Sequence, residues 1–152
     1  MTGSSHHDHQ SGFTTSDWSA DGVATLQAAG PDPQTALAAG LRGTLALVLG
    51  PAPLAPEGGQ STAIRGEGEH LAALFAELVD DLLSQIAEYG QGLHDVSVDG
   101  VLRKSEGGYV AWGYASGTLE PVSGITPPLL IAIPAVHEDG QRVVIRASFR
   151  RS

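Results

Sequence analysis

Residues 67–89, EGEHLAALFAELVDDLLSQIAEY, decide the fold. Within them Leu71, Leu74, Phe75, Leu78, Val79, Leu82, Leu83 and Ile86 recur at i, i+3, i+4 and i+7, the spacing that lays one apolar stripe along an α-helix. Glu77, Asp80, Asp81, Ser84 and Glu88 fall on the opposite face, and Gly90 ends the pattern. A helix of this kind draws most of its stability from burying the stripe, so a second layer must lie against it. The spacing therefore predicts a long helix over 67–89, entered through Gly68-Glu69-His70.

Working upstream, Leu37, Leu41, Leu45 and Val48 repeat at helical spacing, with Asp32 as cap, Pro33 in the first turn and Gly50-Pro51 as terminator. Gly40 and Gly43 inside this helix each cost roughly 1 kcal/mol relative to alanine, which marks them as sites of close packing. Val23 to Ala28 reads as a strand stopped by Gly30-Pro31-Asp32-Pro33, and the proline-rich stretch 50–60 reads as a surface connection. Downstream, Val96, Val98 and Val101, then Tyr109 to Tyr114, follow the two-residue period of strands separated by Gly107-Gly108.

The run PPLLIAI over 127–133 is apolar but too short for a buried helix, and Glu138-Asp139-Gly140 supplies a turn into the last strand. There Val143, Ile145, Ala147 and Phe149 alternate with Arg142, Val144, Arg146, Ser148 and Arg150, giving one buried and one mostly cationic face. The expected order is strand, helix, helix, then several strands. It predicts an α+β fold in two layers, with two main helices packed on a mixed, mainly antiparallel sheet. With 152 residues, 41% of them hydrophobic, a single domain over 13–152 is expected. The segment 1–12 has no apolar period and reads as a disordered tail. Its His6, His7 and His9 could take a transition metal adventitiously, although the stretch also resembles an artificial or mobile leader.

The formal charge of −9 disfavours direct nucleic-acid binding. Without cysteine, thiol redox chemistry, thiolate zinc sites and disulfides are excluded. No apolar run approaches the ~20 residues of a membrane span, and no basic segment leads into an apolar one, so a cytoplasmic location is expected. Neither a Gly-x-Ser-x-Gly elbow nor a phosphate loop occurs, and His70, His94 and His137 read as solvated turn residues. An enzyme is not expected.

Three constellations remain. Glu77, Asp80 and Asp81 stand at i, i+3 and i+4, where they could share a hard divalent cation or simply form a solvated face. Asp17 and Asp21 straddle Trp18-Ser19-Ala20 and could present oxygens to a divalent ion, or act as an acid–base pair for which no nucleophile is visible. All 17 acidic residues precede position 142, whereas Arg142, Arg146, Arg150 and Arg151 stand at or after it. This positive edge could dock an acidic partner; equally, the arginines could pair with the acidic helix and blunt a strand edge.

Asp17-Trp18-Ser19-Ala20-Asp21-Gly22, followed by a strand and a helix, resembles the E-H-T-A-D opening of the archease family. Leu71 to Leu83 resembles that family's L-x-x-L-L-x-x-W-L-x-x-L-L helix, with Leu78 where Trp is usual, and the last strand resembles the family's V-x-x-x-F strand ending at Phe149, with Ile145 at the Val position. The likeness runs over residues 13–151. It implies a small α+β accessory protein, not itself an enzyme, that promotes guanylylation and turnover of an RtcB-type RNA ligase.

It also implies a site for a divalent ion, Mg²⁺, Mn²⁺ or Ca²⁺, with carboxylates from the opening Ala-Asp, from the end of the first helix and from the position after the final Phe. Asp21 matches the first of these, but Leu49-Gly50-Pro51 contains no Asp and Arg150 follows Phe149. Trp18 stands at the usual His, and Ile131-Ala132-Ile133-Pro134-Ala135 replaces the K-A-x-T-Y-H stretch. The resemblance thus implies a degenerate metal site. Two readings follow. One is a divergent archease contacting its ligase through Asp17, Asp21, Glu77, Asp80, Asp81, Arg146 and Arg150. The other is a metal-independent interaction module whose arginine-edged strand serves another partner or self-association into a homo-oligomer.

Overall fold

A computed structural model describes residues 12–50, 59–121 and 126–151. Strands β1 (Phe13–Thr15) and β2 (Val23–Gly30) lead into helix α1 (Pro33–Leu49), followed by β3 (Gln60–Gly68) and helix α2 (Leu71–Tyr89). After a 3-10 turn at Gly90–Gly92 come β4 (Leu93–Arg103), β5 (Tyr109–Gly117), β6 (Leu129–Glu138) and β7 (Val143–Arg150). The strands form two sheets, ordered β1-β2-β7-β6 and β3-β5-β4, and every pairing is antiparallel. The fold is α+β, two helices packed on antiparallel sheets.

Each helix joins the two sheets into one core. Helix α1 lies on β2 and β4, and α2 lies on β3 and β6. All eight apolar stripe residues of α2 are buried, as their spacing predicts, and Phe75, Phe149, Leu26, Leu37 and Ile64 are among the largest side chains wholly removed from water. A buried side chain of this class contributes about 1.5–3 kcal/mol relative to its exposed state, so this cluster dominates the stability of the domain. Asp32 caps α1 by accepting the Thr35 N–H at 2.8 Å, and Gly40 and Gly43 sit where Phe75 and Leu26 leave no room for a side chain. The close packing read from their positions is therefore present.

Helix α2 begins at Leu71 rather than at 67, because residues 60–68 form an edge strand of the second sheet. Ile64 and Gly66 face inward while Arg65 and Glu67 face out, so the strand period exists, but at Gly66 the inward position carries no side chain to show it. The reason is steric: a Cβ on Gly66 would stand 3.0 Å from Glu77 Cβ, and one on Gly68 would stand 2.4 Å from the Leu74 backbone nitrogen. The helices are thus separated by a strand and do not follow one another. His70 does form the helix entry, its Nδ1 accepting the Ala73 N–H at 3.2 Å.

The predicted hairpins are present at β4–β5 and β6–β7. Strand β6 extends the apolar run at 127–133 but is irregular. Its pairing steps from Ile131↔Ser148 to Ala135↔Arg146, a bulge within which Ala132 has φ 58°. Gly12, read as the last residue of a disordered tail, is tied to β2 by accepting the Ala29 N–H at 2.9 Å. The rest of the tail, with His6, His7 and His9, and residues 51–58 of the connection lie outside the described residues. Among the described residues no helix is long and apolar enough to cross a membrane.

Candidate functional site

The register of β2 against β7 sets Val23 opposite Arg150, and one residue further the Arg151 N–H donates to Gly22 O at 2.8 Å. The opening turn and the end of the last strand therefore lie side by side. The turn is closed on itself: Gly22 N–H donates to Ser19 O at 2.9 Å, and Val23 N–H donates to Ser19 Oγ at 3.1 Å. This geometry carries Trp18 under the Arg151 guanidinium, whose central carbon lies 4.5 Å from the ring centre, a cation–π contact.

The end of α1 reaches the same place. Gly50 N–H closes the helix on Ala46 O, and Leu49 O accepts from Gln91 Nε2 at 3.2 Å. Trp18, Val48, Leu49, Gln91, Thr126, Pro128 and Arg151 line a cavity of about 270 Å³. The three segments from which the family resemblance draws its carboxylates thus converge at one end of the first sheet.

Among the described residues, the groups present there do not fit a divalent cation. Such an ion takes six to eight oxygen ligands, largely carboxylates, whereas this cavity offers an indole, aliphatic walls, an amide, a hydroxyl and a fixed guanidinium that repels positive charge. Asp21, in the same turn as Trp18, is exposed and makes no hydrogen bond or ion pair among the described residues. Among those residues no group of three or more His, Asp or Glu side chains is close enough to hold a metal ion.

Other expected contacts are dispersed. Arg150 lies exposed on the outer face of β7, opposite Val23 and Leu129, so the cation beside Trp18 is Arg151. Asp17 is exposed, its backbone carbonyl accepting from Ser16 Oγ at 3.1 Å. Glu77 and Asp80 are exposed on α2, while Asp81 turns to β3 and accepts the Arg65 N–H at 2.9 Å, so the three carboxylates do not act together.

Nor do the late arginines pair with α2. The ion pairs among the described residues are Arg42–Asp95 at 3.2 Å, Arg65–Glu67 at 3.5 Å and Lys104–Glu67 at 3.3 Å. The Lys104 hydrogen bond, followed by the charges of Lys104 and Arg65, holds the Glu67 carboxyl below the usual glutamate range. Arg146 Nε donates to Gln27 Oε1 at 2.9 Å. Of the three histidines read as solvated, His70 is a cap and His137 is exposed. His94 is half-buried, with an Nδ1 that has no hydrogen-bond partner among the described residues.

No family profile matches the chain, and no curated protein matches it in sequence. Among solved structures, the solution structure of protein 1598 from Methanobacterium thermoautotrophicum, a structural genomics target, matches with a TM-score of 0.64 at 16% identity. The match covers 92% of this chain and 99% of that one. At this identity the likeness carries the fold alone, and it carries it over nearly the full length of both chains.

Proposed function

We propose that the chain is a divergent archease-like accessory protein that docks on an RtcB-type RNA ligase and assists its guanylylation and turnover, with no reaction of its own. The observation that supports this reading is the convergence of the Trp18 turn, the Leu49 end of α1 and Arg151 on one cavity. These are the segments that the family likeness marks as functional. In this chain they would act by docking, through Trp18, Arg151 and the exposed Asp17 and Asp21, and not by holding an ion. A net charge of −9 suits approach to a basic ligase without competition for its RNA, and the setting would be the cytoplasm.

A second reading is favoured by the Arg151–Trp18 pair itself, since a cation stands where the likeness expects cation ligands. It is a metal-independent interaction module on the same scaffold. The two part in one experiment: the full chain is added to an RtcB-type ligase with GTP and Mn²⁺, and ligase-bound guanylate and multiple-turnover ligation are measured. Faster guanylylation that Trp18→Ala and Arg151→Ala weaken supports the accessory role. Co-elution with the ligase without stimulation supports the module, and neither stimulation nor co-elution overturns the ligase as partner.

A further inference from the structure

The outer face of the first sheet holds a second cavity, of about 720 Å³, within the size range of small-molecule sites. The strand register builds its floor. Thr14, Gln27 and Arg146 form one row across β1, β2 and β7, and Thr25 and Ser148 form the next. Leu26, Ile145, Ala147 and Phe149 are buried in the core, so alternation sends Thr25, Gln27, Arg146 and Ser148 to the opposite face. The wall is the β6 bulge, where Ile133 and Pro134 line the cavity beside Ala132, held at φ 58° in a region that residues with a Cβ seldom adopt.

Among the described residues no carboxylate lines this cavity. Arg146 is fixed by its Nε bond to Gln27 Oε1, and its two terminal amino groups have no partner among the described residues. Among the described residues this exposed guanidinium has no carboxylate partner, so its terminal amino groups are available to an anion. Beside it stand the Thr25 and Ser148 hydroxyls, and the apolar Ile133 and Pro134 share the lining.

We propose that this cavity binds a small organic anion, a single carboxylate or phosphate group on an apolar or flat body. The anionic group would sit on Arg146 with Thr25 and Ser148, and the body would lie against Ile133 and Pro134. The inference stands apart from the ligase reading, whose residues gather around Trp18 and Arg151.

The test is titration of the isotope-labelled full chain with phenyl phosphate, benzoate, inorganic phosphate and neutral benzyl alcohol, followed by backbone amide NMR. Saturable shifts confined to residues 14, 25–27, 131–133, 135 and 146–148 are expected with one or both organic anions, the tighter one identifying the acid group. Arg146→Gln and Arg146→Ala should weaken binding about tenfold or more with the remaining amide spectrum intact, and Arg103→Ala should leave it unchanged. Absence of saturable shifts, equal binding of benzyl alcohol, or indifference to both Arg146 variants overturns the proposal. Inorganic phosphate binding as tightly as phenyl phosphate, without shifts at Ile133, overturns the role of the apolar wall.

Discussion

Asp81 is a carboxylate that helical spacing offers to solvent and that the fold uses for the backbone of an edge strand. The Arg65 N–H on β3 has no strand neighbour on that side, and Asp81 Oδ2 accepts it at 2.9 Å. The bond ties α2 to the sheet it covers and removes Asp81 from any cluster with Glu77 and Asp80. Asp81→Ala should therefore lower stability by about 1 kcal/mol in urea unfolding, while exposed Asp80→Ala stays within about 0.5 kcal/mol of the parent. At this scale the candidate site was half legible. Trp18 and Asp21 stand out in the sequence beside a strand. Arg151 could not be assigned to Trp18, because their contact depends on the β2–β7 register, between segments at opposite ends of the described chain. The Arg146–Gln27 bond was hidden for the same reason.

Elements were legible where side chains carry the period. The leucines of α2 and the Val143, Ile145, Ala147, Phe149 alternation of β7 announce their buried faces. β3 was invisible because its inward positions include Gly66 and its end is Gly68, both required by the approach of α2. β6 was truncated because its bulge breaks the alternation at Ala132. Helix α2 also has an unusual cap in His70, since Ser, Thr, Asp and Asn are the stronger acceptors at that position. His70→Ala should cost about 1 kcal/mol in thermal unfolding, and His70→Asn should match or exceed the parent.

The β6–β7 turn gives a second prediction at this scale. Asp139 accepts the Gln141 and Arg142 N–H groups, each at 3.0 Å, and these bonds hold its carboxyl below the usual aspartate range. A carboxyl lowered in the folded state contributes stability that is present above its unfolded pKa and lost as pH falls through its folded one. Asp139→Asn should thus melt below the parent at pH 7, and the gap should close as the pH is taken below about 4.

On the scale of the whole molecule, charge is unevenly distributed. The 17 acidic residues precede position 142, and among the described residues the ion pairs engage only Asp95 and Glu67. Most carboxylates therefore repel one another across a domain of net charge −9. Salt acts on both terms: it screens that repulsion, which stabilises, and it screens the three surface pairs, which destabilises. Repulsion should win, because exposed pairs are worth little and the uncompensated charges outnumber them. The screening length shrinks from about 30 Å at 0.01 M to about 8 Å at 0.15 M, so the change falls in that range. The melting temperature at pH 7 should rise on adding NaCl between those concentrations and then flatten. Near pH 4.9, where the chain is close to neutral, the same salt series should leave it nearly constant or lower it. Calorimetric scans at the two pH values check this, and a melting temperature that falls with salt at pH 7 would mean that the surface pairs outweigh the excess negative charge.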